Sequence, residues 1–225
     1  MKKKILLPAL VVLLFLGFRN AQAQRILGGI SLGMNLTQVD GDQFYGFNKV
    51  GVTFGPMAII PFGKDQNWSV SMELLYSQKG SYHRGSTDST YYRLNLDYID
   101  VPVMIHFTDK RVISAGIGIC YGQLINHKES YLFITPDSLK TTMKPYDLSA
   151  VGEISVRLWH GFWFNARYQY SMLSLRSVTF IDPTNNKNIW ERKQYNNVIS
   201  IRLTYVFKQP LPDKKKKPKN NDQEE

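Results

Sequence analysis

Asn197-Val198-Ile199-Ser200-Ile201-Arg202-Leu203-Thr204-Tyr205-Val206-Phe207 alternates without a break. Ile199, Ile201, Leu203, Tyr205 and Phe207 share one face, and Ser200, Arg202 and Thr204 take the other. Period-two alternation builds a strand with one apolar and one polar face. About ten residues also suffice for a tilted strand to cross a bilayer. The stretch reads as the closing strand of a membrane β-barrel.

The same pattern recurs upstream, predicting strands at residues 25–36, 49–60, 68–78, 91–107, 112–124, 147–158 and 162–171. With the closing strand this makes an eight-stranded, antiparallel, up-and-down transmembrane β-barrel, an all-β fold. Connections alternate between long (37–48, 80–90, 125–146, 172–196) and short (61–67, 108–111, 159–161). Outer-membrane barrels show this asymmetry, with short periplasmic turns and longer outer loops. Trp68, Tyr76, Tyr92, Phe107, Tyr121, Phe162, Tyr170, Tyr205 and Phe207 stand near strand ends, where two interfacial girdles are expected. In the strand at 91–107 the apolar residues change phase, from even (Tyr92, Leu94, Leu96) to odd (Ile99, Val101, Val103, Ile105, Phe107). One extra residue near Asp97-Tyr98 would reconcile them, so a β-bulge is predicted there, and Pro102 marks a second irregularity.

Alternation alone does not say which face is outside, because a soluble lipocalin-like carrier alternates with its apolar face inward. The non-apolar face here is rich in Gly and Ser, which suits the crowded interior of a small barrel. It also gathers charges of both signs: Lys49, Glu73, Asp100, Glu153, Arg157, Arg167 and Arg202. On a lipid face each Arg or Lys would cost roughly 2–4 kcal/mol at the midplane. These seven residues are therefore assigned to the lumen as a charge network that plugs it. An eight-stranded barrel has just enough interior for its own side chains.

Lys2, Lys3 and Lys4 precede an apolar run at 5–17, and Ala21-Gln22-Ala23 follows. This is the pattern of a secretory signal peptide, residues 1–23, with cleavage between Ala23 and Gln24. The barrel domain then spans 24–207, and residues 208–225 form a basic, Pro-containing, solvated periplasmic tail. Of the net +10, the leader contributes four charges and the tail two, leaving about +4 for the body. That makes no case for nucleic acid. The single cysteine, Cys120, excludes an internal disulfide and reads as a small buried residue.

Several stretches resemble the PorT-like outer-membrane β-barrel family. They are Val39-Asp40-Gly41-Asp42 with Gly46-Phe47-Asn48-Lys49-Val50-Gly51, and Glu73-Leu74-Leu75-Tyr76-Ser77-Gln78-Lys79-Gly80-Ser81. Further pieces are Leu94-Asn95-Leu96-Asp97-Tyr98-Ile99-Asp100-Val101-Pro102, Gly122-Gln123-Leu124-Ile125-Asn126 and Gln194-Tyr195-Asn196-Asn197-Val198. The resemblance implies an outer-membrane barrel in a Gram-negative-type envelope and no general enzymatic activity. The family's founding member is linked to a protein-secretion apparatus, and carrying that role over is analogy from fold. Family chains often stop near a final aromatic of the type that barrel-assembly machinery recognises. Here that aromatic, Phe207, is followed by the tail, so the assembly signal would be internal.

No chemistry stands out. His83, His106, His127 and His160 are scattered without metal-ligand spacing, and no cofactor motif occurs. His127-Lys128-Glu129-Ser130 raises a surface hydrolase as an alternative, but neighbours in one segment seldom converge as nucleophile, base and orienter. Phe44, Tyr45, Tyr131, Phe133, Ile134, Ile181 and Trp190 lie in the long connections, where they would form a binding surface or pack on extended strands. The expectation is a monomeric outer-membrane protein with a structural or interaction role. Its partners would be membrane lipid, the assembly machinery and an envelope or secretion protein.

Overall fold

The computed structural model describes residues 26–42, 46–63, 65–84, 91–132, 143–181 and 188–207. The strands are β1 (Leu27–Asp40), β2 (Lys49–Phe62), β3 (Trp68–Glu73), β4 (Leu75–Arg84) and β5 (Tyr91–Asp109). They continue with β6 (Ile113–Leu132), β7 (Tyr146–Trp159), β8 (Phe162–Ser171), β9 (Arg176–Ile181) and β10 (Asn188–Val206). All pairings are antiparallel, and β1 joins both β2 and β10, so the sheet closes on itself. β3 and β4 share one register against β5 and form a single crossing; β8 and β9 follow one another along β10, in different registers, and form another, so the ten strands of the described residues make eight crossings. Residues 1–25 and 208–225, where a leader and a tail are expected, lie outside the described residues.

Apolar side chains face outward. Leu32, Ile117 and Ile154 are 65, 70 and 61 % exposed, whereas the intervening Ser31, Gly116 and Glu153 are buried. Two ends can be told apart. At one, short turns join the strands: Lys110 and Arg111 take φ 46° and 56°, and the Val112 amide donates to Asp109 O at 2.9 Å. Two successive left-handed residues are what a type I′ hairpin turn requires, since its twist matches that of the strands. His160 and Gly161 repeat the device between β7 and β8. A girdle surrounds this turn end, with Trp68–Phe107 ring centroids 5.1 Å apart and Phe162–Tyr205 4.7 Å apart. Tyr76, Tyr121 and Tyr170 stand on the outer face toward the other, loop end.

The phase change in β5 has a different cause from the predicted bulge. Even-numbered residues face inward along the whole strand, from Tyr92 to His106. Below Ile99 the outward residues are apolar (Val101, Val103, Ile105, Phe107); above it they are Asp97, Asn95 and Arg93, while Leu94, Leu96 and Tyr98 fill the interior. The strand leaves the apolar band near Asp97, and beyond it the barrel is built like a soluble protein. Tyr92 accordingly sits inside and not in a girdle. A bulge does occur at this level, but on the neighbour: Asp97 pairs Asn126 and Tyr98 pairs Leu124, leaving Ile125 of β6 as the extra residue.

Nor does Pro102 disturb the β5–β6 register, which runs through Pro102↔Cys120 without a shift. The irregularity falls on the other edge. Leu74, between Met72↔Val103 and Leu75↔Asp100, interrupts the strand one residue past Glu73, which this register sets opposite the proline; proline has no N–H to offer a ladder. Leu74 instead donates its amide to Pro56 O at 3.0 Å on β2.

The strands are also longer than the alternation implied. β6 continues to Leu132, β4 to Arg84, and β9 pairs the upper part of β10 across Gln194↔Arg176, within what reads in sequence as connections. Of the aromatic and aliphatic loop residues, Tyr131, Ile181 and Trp190 thus lie in strands. The side chains of all seven fall outside the described residues.

Candidate functional site: the closed lumen

The inward residues of β5 run, from loop end to turn end, Tyr92, Leu94, Leu96, Tyr98, Asp100, Pro102, Met104, His106, Thr108. The lumen is layered along that line. At the loop end Arg176 forks onto Glu129, at 2.6 Å (Nη2–Oε1) and 2.9 Å (Nη1–Oε2), and donates through Nε to Gln194 at 2.7 Å. The Tyr92 hydroxyl donates to the same carboxylate at 2.9 Å. Four strands are tied together by one guanidinium, a bidentate geometry suited to Arg and not to Lys.

Beneath it Val39, Tyr92, Leu94, Leu96, Tyr98, Met143 and Leu175 form an apolar plug, with Leu124 packed against it. Next comes Lys79, whose ammonium lies 2.8 Å from Asp100 Oδ2, 3.0 Å from Oδ1, and 4.6 Å above the Tyr98 ring. Asp147 Oδ2 accepts from Ser171 at 2.8 Å, Asn196 at 3.1 Å and Ser149 at 3.2 Å. Gly80, with φ 130°, belongs to this wall, and a Cβ there would stand 2.1 Å from Leu94 O. Only glycine allows the two strands that approach so closely.

The centre is a closed cycle of two carboxylates and two guanidiniums. Arg167 bridges Glu73 at 2.5 Å and Glu153 at 2.8 Å; Arg202 bridges Glu73 at 2.7 Å and also pairs with Glu153. All four side chains are at most 4 % exposed. Charges so buried are tolerable only when paired and hydrogen-bonded, and here each ion touches two of opposite sign. Ser155 and Asn165 add donors to Glu153 at 3.2 and 3.4 Å. Below, His106 Nε2 lies 2.7 Å from Ser71 Oγ, while its other ring nitrogen rests against Gly116, where a Cβ would come within 2.2 Å. A cavity of about 120 Å³ at the turn end is lined by Ile59, Gln66, His106, Thr108, Trp163 and Asn165, among others.

Of the seven charges assigned to the lumen from sequence, Glu73, Glu153, Arg167 and Arg202 meet in the central cycle. Asp100 meets Lys79, Lys49 packs on the Gly80 backbone toward the loop end, and Arg157 lies 5.9 Å over the Trp163 ring at the turn end. All seven are buried. Sequence reasoning missed Lys79 and Asp147, although both share the odd parity of their strands' inward residues: Lys79 lies one residue past the predicted strand 68–78, and Asp147 opens the predicted strand 147–158. Arg176 and Glu129 carried no such signal, because their segments read as loops. Phe207 is half exposed just past β10, and its amide donates to Gly28 O at 2.8 Å. Ala23 and Gln24 lie outside the described residues.

The suspected hydrolase segment does not assemble a site. Within β6, Lys128 and Ser130 point outward opposite Asn95 and Arg93, while Glu129 points inward to Arg176. Among the described residues no group of three or more His, Cys, Asp or Glu could hold a metal ion.

The sequence profile of the outer membrane protein beta-barrel domain matches residues 20–176. No curated protein matches the chain. Solved structures similar to it include Ail, the attachment invasion locus protein of Yersinia pestis, at 15 % identity and TM-score 0.45, covering 81 % of this chain and 99 % of that one. Neisserial surface protein A is similar at 11 % identity and TM-score 0.44, covering 79 % and 96 % of the two chains. OprG from Pseudomonas aeruginosa is similar at 13 % identity and TM-score 0.40, covering 81 % and 94 %.

Proposed function

The chain belongs to the outer membrane protein beta-barrel domain family and resides in the outer membrane, and from that premise we propose that it is a non-conducting, non-catalytic barrel that presents its loop end for binding. The supporting observation is the lumen. An apolar plug, the Lys79–Asp100 pair and the four-ion cycle are stacked across it, with a small cavity at the turn end. The orientation that suits this reading puts the short turns and both termini in the periplasm, as short-turn asymmetry in such barrels indicates. Residues 1–23 would then be the removed signal peptide, 24–207 the barrel and 208–225 a periplasmic tail, with Phe207 as the internal assembly signal. The barrel would act as a monomer, engaging membrane lipid, the assembly machinery and an envelope partner. The PorT-like motifs make an accessory role in protein secretion the narrower form of this reading. The Ser71–His106 pair is taken as structural, since its imidazole abuts backbone at Gly116.

Planar-bilayer recording tests the closed lumen. The purified barrel is expected to give no steady single-channel current, and discrete ion-sized steps that persist at low voltage would contradict the proposal.

A further inference from the structure

Asp147 stands apart from the other acids of the lumen. Glu73, Glu153, Asp100 and Glu129 each touch at least one Lys or Arg, whereas Asp147 makes no ion pair among the described residues. It is fully buried, and its Oδ2 accepts from Ser171, Asn196 and Ser149, all of them neutral. Lys79, the ammonium of this layer, is held by both oxygens of Asp100. Lys49, on the Gly80 wall, does not pair with Asp147 either. Two carboxylates thus face one ammonium, and the layer is one positive charge short. A buried carboxylate is costly unless its charge is met.

Its second oxygen, Oδ1, accepts no hydrogen bond. Two more buried oxygens of the layer are likewise unpartnered, Asn196 Oδ1 and the Tyr98 hydroxyl. Tyr98 and Asp147 are wholly shielded, and Asn196 is 1 % exposed. The three side chains lie together. The Asn196 amide donates to Asp147 at 3.1 Å and stands beside the Tyr98 hydroxyl without a hydrogen bond to it. Gly122 pairs with both Asp100 and Asp147, and a Cβ there would come 3.2 Å from the Tyr98 ring and 3.6 Å from Asp147 Cβ. Glycine in a strand interior leaves space of this kind beside its neighbours.

We propose that Asp147, Asn196 and Tyr98 hold a small alkali cation, sodium or potassium, inside the barrel. Carboxylate, amide carbonyl and phenol oxygens are hard ligands, the type that hard cations take. A single positive charge balances the layer. A proton on Asp147 would balance it too, but one proton joins only two oxygens, whereas a cation draws lone pairs from all three. The apolar plug above and the four-ion cycle below close the site, so the ion enters as the barrel folds and its binding adds to folding stability.

The test is the urea-driven folding equilibrium of the full-length mature barrel in neutral phosphatidylcholine vesicles, in sodium, potassium or choline chloride at one ionic strength. Choline, a bulky quaternary ammonium, is the control cation. With an alkali cation at ten times its dissociation constant, the folded-to-unfolded ratio should be about tenfold higher than in choline. Asp147→Asn, shown folded by heat-modifiable gel migration, should abolish the difference. Tyr98→Phe removes a hydroxyl that has no hydrogen bond to lose, so it should fold and shrink the difference. A tyrosine with a packing role alone would leave the cation dependence unchanged. Equal stability of wild type in all three salts would overturn the proposal and assign the balance to a proton. An alkali effect that survives undiminished in both variants would also overturn it, placing the cation elsewhere.

Discussion

Glu73→Ala should destabilise the barrel by about 3–5 kcal/mol, the usual cost of removing one partner from a buried ion pair. The carboxylate accepts from Arg167 at 2.5 Å and from Arg202 at 2.7 Å, and all three groups are shielded from water. Without it two guanidiniums compete for Glu153 alone. The penalty is therefore an uncompensated buried charge more than a lost hydrogen bond. The double variant Glu73→Ala/Arg202→Met restores neutrality, leaving Arg167 with Glu153. It should be clearly less destabilised than the sum of its two single changes, because residues in one network do not act additively. Urea-driven unfolding from lipid vesicles, followed by tryptophan fluorescence, measures both. A Glu73→Ala midpoint indistinguishable from wild type would mean that the four ions do not hold the crossings together.

The second large effect is on the opposite face. Ile117 is 70 % exposed in the middle of β6, between Gly116 and Gly118, and pairs Gly152 on β7, where nothing stands near the outward position. In a bilayer this is lipid-facing surface, and Ile117→Arg should cost about 2–4 kcal/mol and slow insertion. In water the same change would be neutral or solubilising. Folding yield into vesicles, compared with Ile117→Leu, separates the two. An arginine variant that inserts as well as the leucine variant would remove Ile117 from the lipid face.

How much of this was legible in the chain depends on where the membrane ends. Within the apolar band one rule holds, apolar out and polar in, so the parity of the closing strand also placed Glu73, Glu153, Arg167 and Arg202 inside. Beyond the band the rule inverts. Leu94 and Leu96 turn inward and Arg93 outward without any change of backbone phase, and a reading that assumes one rule throughout must invent a bulge on β5. The real bulge, at Ile125, was invisible because its strand had already been ended at Leu124. The upper hairpin of β9 and β10 was hidden for a related reason. Arg176, Lys193 and Gln194 look like loop residues, yet Arg176 and Gln194 bond to each other inside the barrel. Which two acids meet which two arginines is a matter of register around a closed ring, and a single strand's alternation carries no information about that.

The apolar-out, plugged-lumen architecture is tested most directly on the closing strand itself. Nitroxide labels placed singly at residues 199, 200, 201, 203, 204 and 205, in a Cys120→Ala background, report collisions with oxygen dissolved in the bilayer. The account predicts high oxygen accessibility at Ile199, Ile201, Leu203 and Tyr205, and low accessibility to oxygen and to aqueous nickel chelate alike at Ser200 and Thr204, which line the filled interior. Nickel accessibility at Ile201 and Leu203, with oxygen-protected labels on the same face, would put that face in water and contradict it.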